Sequence, residues 1–170
     1  MTKIIYLARH AKSSWNSGAS TDFDRPLSER GMSDAIKMGK ALNRLSWKPE
    51  VIIASPALRT QLTCSAYCEY LDFSEEAIVW RKDFYAAYMV TLLQAITSLP
   101  KSTNSIMLLG HNPAMEDLLI YLCGGLVDFQ QKNGKLFTTG NVAKITVKGL
   151  WGDLLMNEAS VAKLLRPKEL

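Results

Sequence analysis

The sequence predicts an α/β fold, a single-domain three-layer α/β/α sandwich whose mostly parallel sheet carries an antiparallel edge strand. Two observations predict it. Short apolar runs bounded by turn residues alternate with segments of helical periodicity, as in βαβ units whose sheet is covered on both faces. The chain also has 170 residues, of which 48% are hydrophobic. Because that is enough for one well-filled core, we expect one domain over residues 1–170.

Each predicted element follows from a local pattern. Four apolar runs are predicted as strands: Ile4–Ala8, Val51–Ala54, Ile106–Leu109 and Val142–Val147. Helical spacing predicts helices over Ala57–Leu71, Met89–Leu99 and Pro113–Leu122.

The clearest helix start is at Ser28, which follows Pro26 and can cap the helix. We expect this helix to end near Trp47. Leu150–Glu158, after Gly149, is predicted to return antiparallel to the last apolar run. Two irregular stretches, Ser14–Pro26 and Gly124–Gly140, are predicted as functional loops.

Composition narrows the range of partners. The formal charge is +4 and the pI about 9.0, but the cationic residues are spread along the chain. Since no basic stripe is interleaved with aromatics, no nucleic-acid partner is expected, and a phosphorylated substrate is the better anionic candidate. No signal-like segment or apolar run of about 20 residues is present, so we expect a cytoplasmic protein without a membrane partner. Its three cysteines are expected to be reduced and mostly buried.

Reactive side chains follow three of the predicted strands. Arg9 and His10 come after Ile4–Ala8, His111 follows Ile106–Leu109, and Arg59 lies just beyond Val51–Ala54. Because ligand sites of parallel sheets gather outside the carboxyl ends of the strands, we expect these side chains to meet in one crevice.

Two guanidinium groups and two imidazoles form a site for a dianion, because the guanidinium fork matches the oxygens of a phosphate. A neutral imidazole is also the natural phosphoryl acceptor, since its pKa is about 6.5 whereas that of lysine is about 10.4. The acidic pairs nearby, Asp22/Asp24 and Glu116/Asp117, do not form a metal-ligand cluster. We therefore expect no metal and no cofactor.

These residues lie in motifs that resemble a known family. Residues 9–16, Arg-His-Ala-Lys-Ser-Ser-Trp-Asn, are similar to the Arg-His-Gly-x-Ser-x-Trp-Asn signature of the histidine phosphatase (phosphoglycerate mutase-like) superfamily. Three further motifs follow in the order typical of the family: Asp24-Arg25-Pro26-Leu27-Ser28-x-x-Gly31, Ser55-Pro56-Ala57-Leu58-Arg59-Thr60-x-x-Thr63 and Gly110-His111-Asn112-Pro113. Ala11 replaces the signature glycine and asks for more room beside the phosphate.

The resemblance implies a role for each matching residue. His10 would be the nucleophile that becomes phosphohistidine, while Arg9, Arg59 and His111 would hold the phosphoryl oxygens. Asn16 and Ser13 match positions that line the phosphate pocket.

A Glu or Asp after the third strand protonates the leaving group in many members of the family. The candidate here is Asp83, with Glu116 as the alternative. A phosphoramidate substrate would need no strong acid.

The short chain is similar to the SixA-like branch, which implies a phosphatase acting on phosphohistidine of a protein. Longer members carry insertions that roof the site, whereas 170 residues leave little chain for a lid. A small phosphate monoester is the main alternative substrate, and a non-catalytic phosphate-binding module is a third possibility. The sequence predicts no oligomeric state.

Overall fold

The computed structural model describes residues 2–125, 134–154 and 159–170. In these ranges four α-helices accompany one six-stranded sheet. The strands are β1 (Thr2–Arg9), β2 (Val51–Ala54), β3 (Val79–Trp80), β4 (Ser105–Gly110), β5 (Val142–Lys148) and β6 (Ala159–Leu165). The helices are α1 (Glu29–Arg44), α2 (Leu58–Leu71), α3 (Met89–Thr97) and α4 (Ala114–Leu122).

The order of the strands is β3-β2-β4-β1-β5-β6. The pairs β3–β2, β2–β4 and β4–β1 are parallel, whereas β5 pairs antiparallel with β1 and β6 antiparallel with β5. The predicted α/β class, with a parallel sheet that becomes antiparallel at one edge, is confirmed. Because β1, β2 and β4 run in the same direction, their carboxyl ends open on one edge of the sheet.

Alternate residues of the central strands enter two separate cores. Ile5 and Leu7 of β1 lie in the core beneath α3 and α4, while Tyr6 and Ala8 lie in the core beneath α1 and α2. This follows from the two-residue period of a strand, which sends neighbouring side chains to opposite faces. The result is the expected three-layer arrangement. No helix in the described ranges is both long and apolar enough to span a membrane.

The elements differ from the predicted ones in three places. Helix α1 begins as predicted, with the Ser28 hydroxyl accepting from the N–H of Gly31, but it ends at Arg44. Ser46 has a φ of 55°, which stops the helix and lets Trp47 stack on Tyr6 with ring centroids 5.7 Å apart.

The last strand begins at Ala159, so the prediction of a strand from Leu150 is wrong for its described part. Trp151–Asp153 forms a short 3-10 helix, because the buried Trp151 donates its Nε1–H to the carbonyl of Thr103 at 2.8 Å. Residues 155–158 of that prediction lie outside the described ranges, as do residues 126–133 of the predicted second loop. Strand β3 has two residues, too few to show a sequence period.

Candidate active site

Residues from three strand ends surround one cavity of about 300 Å³ at the carboxyl edge of the sheet. Arg9 and His10 arrive from β1, His111 from β4, and Arg59 from the first turn of α2 beyond β2. The lining consists of Arg9, His10, Lys12, Ser13, Trp15, Arg25, Arg59, His111, Asn112 and Thr139. Five of the residues singled out from the sequence therefore lie together, namely Arg9, His10, Ser13, Arg59 and His111.

His10 is held in one tautomer. Its Nδ1 lies 2.7 Å from the carbonyl oxygen of Ala11, and because a carbonyl can only accept, Nδ1 carries the proton. Nε2 therefore carries the free electron pair. Burial lowers the pKa of His10 to about 3, and nearby cationic groups, among them Arg59, act in the same direction. His10 is thus neutral at pH 7, as a nucleophile has to be.

His111 lies beside it, with ring centroids 5.0 Å apart. Its Nε2 is 2.7 Å from the hydroxyl oxygen of Ser55, and that oxygen also accepts from the N–H of Ala57 at 3.3 Å. Because a hydroxyl oxygen has two acceptor positions and one O–H, Ser55 can donate to Nε2 or accept from it. We assign it the donating role, which leaves the proton of His111 on Nδ1. Nδ1 is buried without a partner among the described residues. Burial lowers the pKa of His111 to about 4, so its ring is a neutral donor.

Arg59 is oriented by Asp22, through both its backbone oxygen and its carboxylate. Its two terminal nitrogens donate to Asp22, at 2.7 Å to the backbone oxygen and at 3.1 Å to Oδ2. The hydroxyl of Tyr85 donates to the same Oδ2 at 2.6 Å. These contacts, the bond from Tyr85 first among them and others from Arg25 and Arg59, lower the pKa of Asp22 to about 2. Asp22 is therefore ionised and fixes the guanidinium at the cavity wall.

Arg9 is held by the backbone of Phe137. It donates to the carbonyl oxygen of Phe137 at 3.0 Å, and Asn112 donates to the same oxygen at 2.8 Å. Glu116 accepts from the N–H of Phe137 at 3.0 Å. In the described ranges the Nε atoms of Arg9 and Arg59 are buried without partners. Because buried donors are normally paired, two unpaired guanidinium nitrogens beside His10 indicate a site for an oxyanion.

The motif from Asp24 to Gly31 holds in place the loop that follows His10. The backbone oxygen of Lys12 accepts from the N–H of Ser28 at 2.9 Å and from its hydroxyl at 3.1 Å. A Cβ added to Gly31 would lie 2.0 Å from that same oxygen, so only glycine allows α1 to approach so closely. The start of α1 is thereby clamped onto the loop that follows His10.

Three other predicted features lie elsewhere. Asn16 is exposed and does not line the cavity. Asp83 lies in a short 3-10 helix, exposed and ion-paired with Arg81, which lowers its pKa; it does not line the cavity either. The Ala11 methyl packs in the core beneath α1 and α2, so the expectation that it needs room beside the phosphate is wrong.

Sequence reasoning assigned no orienting role to Ser55, Asp22 or Tyr85. Ser55 directly follows β2 and could have been found as a polar residue at a strand end. Asp22 and Tyr85 had no such signal, since the chain separates them from Arg59 and from each other by many residues and only the folded structure joins them.

A sequence model of the histidine phosphatase superfamily (branch 1) matches residues 5–82, a range that holds Arg9, His10 and Arg59. A chloroplastic protein of Arabidopsis thaliana is 31% identical over 146 residues, which are 80% of this chain and 66% of that protein. The chain thus spans just under two thirds of that relative's length.

Solved structures match over nearly the whole chain. SixA from Agrobacterium tumefaciens is similar with a TM-score of 0.80 at 26% identity, covering 97% of this chain and 98% of that one. The protein histidine phosphatase SixA complexed with tungstate has a TM-score of 0.81 at 20% identity and covers 98% of both chains. The second likeness shows the shared fold.

Proposed function

Since the chain belongs to the histidine phosphatase superfamily, we propose that it hydrolyses phosphohistidine on a protein through a phosphoryl intermediate on His10. The observation that carries the proposal is the tautomer of His10. Its Nδ1–H is bound to the carbonyl of Ala11, so its Nε2 electron pair is free to attack phosphorus. The lowered pKa keeps that pair unprotonated at pH 7.

The phosphoryl group is bound by the donors left without partners. In the part of the chain that the structure describes, Nε of Arg9, Nε of Arg59 and Nδ1 of His111 are buried without a partner. Such preorganised donors stabilise the charge of the transferring group most in a site that excludes water. We infer that this set supplies the necessary positive charge and that the reaction needs no metal or other cofactor.

Two steps complete the reaction. First, Nε2 of His10 bonds to phosphorus, the P–N bond of the substrate breaks, and the departing imidazole takes up one proton from solvent. Water then bonds to phosphorus, the P–Nε2 bond breaks, and one proton returns to solvent with the release of inorganic phosphate. His10 ends in its starting tautomer, because its Nδ1–H is kept throughout.

The rim of the cavity favours a bulky substrate. Trp15 stands at the mouth with 77% of its surface exposed, and Arg25 stacks on its ring at 3.6 Å. A side chain presented by a protein can reach such a mouth. The relative from Agrobacterium tumefaciens, 26% identical, carries the name of a phosphohistidine phosphatase, which supports this substrate class over a small phosphate monoester. The free thiols Cys64, Cys68 and Cys123 suit a reducing compartment such as the cytoplasm.

The test compares substrates and traps the intermediate. Wild type should release phosphate from a phosphohistidine protein with a higher kcat/KM than from sugar phosphates. Brief reaction followed by an alkaline quench should leave acid-labile phosphate on wild type and none on His10→Asn, a change that keeps a donor for Ala11. Turnover by the variant would refute the nucleophile, while a preference for sugar phosphates would favour the monoesterase alternative.

A further inference from the structure

A second cavity, of about 180 Å³, adjoins the active site. It lies between the start of α1, the residues that precede β5 and the chain that follows β6. Lys12 and Thr139 line both cavities. A group bound in the second cavity is therefore a neighbour of the phosphoryl group bound at His10.

The lining of this second cavity is strongly cationic. It includes one carboxylate, that of Asp34. It also includes five cationic side chains, those of Lys12, Arg30, Lys135, Arg166 and Lys168. Asp34 pairs with Arg30 at 3.5 Å, and Glu169 outside the lining pairs with Arg166 at 3.5 Å. Among the described residues of the lining and these two ion pairs, positive charge still exceeds negative charge, so an anion is favoured there.

A buried amide supplies an independent indication of a ligand. Asn141 lines the cavity with none of its surface exposed. Its Oδ1 accepts from the hydroxyl of Thr138 at 3.1 Å, whereas its Nδ2 has no partner among the described residues. A buried N–H without a partner is costly, and an oxyanion in the cavity would satisfy it. The backbone oxygen of Asn141 accepts from the N–H of Arg9 at 3.1 Å. This bond places Asn141 beside the end of β1.

The size of the cavity limits what enters it. Sites for whole small molecules are about 300–1,000 Å³, so 180 Å³ accommodates a single anionic group. We propose that the second cavity binds a carboxylate of the phosphoprotein substrate, from an acidic side chain close to the phosphohistidine. This inference rests on the proposed function and adds to it a preference for acidic sequence around the target histidine.

The test uses two phosphohistidine peptides at pH 8 that differ only in having Glu or Gln beside the phosphorylated residue. The measured quantity is the ratio of kcat/KM for the Glu peptide to that for the Gln peptide. Arg30→Gln/Lys168→Gln removes two exposed cations of the cavity. The matched control, Arg44→Gln/Lys148→Gln, removes one Arg and one Lys from the far ends of α1 and β5.

Wild type and the control should prefer the Glu peptide. In the cavity variant the ratio of the two kcat/KM values should be about three- to tenfold lower. Its kcat/KM for the Gln peptide should be unchanged. Asn141→Asp, which replaces the donor by an acceptor of similar size, should lower the same ratio. An equal ratio in wild type, cavity variant and control would overturn the inference and leave the proposed function standing.

Two other outcomes also count against the inference. Turnover of an aryl phosphate but of neither peptide would refute the protein substrate and this inference with it. If the cavity variant instead lost activity on a small bisphosphate while the peptide ratio stayed unchanged, the second group would be a phosphate and the carboxylate assignment would be wrong.

Discussion

The two buried histidines should make the stability of the protein fall steeply in mild acid. Burial lowers the pKa of His10 to about 3 and that of His111 to about 4, whereas an imidazole in the unfolded chain has a pKa of about 6.5. Between pH 6.5 and the lower values the unfolded chain binds more protons than the folded chain. Folding stability therefore decreases as the pH falls through this window.

The size of the effect follows from the shifts. At pH 5.0 the folded chain keeps both rings neutral while the unfolded chain has protonated them. Because the pH then lies about 1.5 units below the unfolded pKa, and each unit corresponds to about 1.36 kcal/mol, each histidine costs about 2 kcal/mol of stability relative to pH 7.5. This is a substantial part of the 5–15 kcal/mol typical of a folded domain.

Urea unfolding, followed by the fluorescence of the four tryptophans, measures the effect at pH 7.5 and 5.0 in buffers free of phosphate and sulfate. His10→Asn should lose about 2 kcal/mol less than wild type over this interval, and His111→Asn a similar amount less. Since the chain has two histidines, their proton NMR signals also report each pKa directly. Equal losses in wild type and His10→Asn, or a histidine signal that titrates near pH 6.5, would refute this explanation.

Three further results are expected. Ser55→Ala removes the donor to His111 at 2.7 Å and should lower kcat/KM about tenfold with an unchanged circular dichroism spectrum; a loss below twofold would contradict the tautomer assigned to His111. Gly31→Ala should lower the free energy of unfolding by about 1–3 kcal/mol because its Cβ would meet Lys12, whereas Met32→Ala, on the exposed neighbour, should be nearly neutral. Exhaustive chelation should leave phosphatase activity intact, and a loss reversed by a divalent ion would exclude the metal-free mechanism.

The predictable part of the site depends on local sequence. His10 and His111 each follow an apolar run, and the parallel pairing of β1 with β4 brings those two ends side by side. A resemblance in four ordered motifs added roles that periodicity alone could not assign. Strand ends and helix starts could be predicted for the same reason, since the residues that decide them are neighbours in the chain.

The rest of the site depends on contacts between distant segments. Asp22 meets Arg59 across 37 positions and Tyr85 across 63, and no pattern in the sequence marks that meeting. The start of β6 was missed for a similar reason, because the hydrogen bond from Trp151 to Thr103 holds residues that a local pattern assigned to a strand. Tertiary contacts thus determine which residues orient the groups of the candidate site.

The protonation of the leaving group is the step at which these contacts bear on substrate choice. Asp83 is paired with Arg81, and Asp22 is held by Tyr85, Arg25 and Arg59, so the pKa of each carboxyl is lowered and neither carries a proton at pH 7. An alkoxide leaving group depends on such a proton, and losing a general acid typically costs about 10²- to 10⁴-fold. In phosphohistidine, by contrast, the bond that breaks and the bond to His10 that forms both join phosphorus to an imidazole nitrogen. That exchange is nearly balanced, so the ionised state of Asp83 and Asp22 supports the proposal of an N-linked phosphoryl substrate.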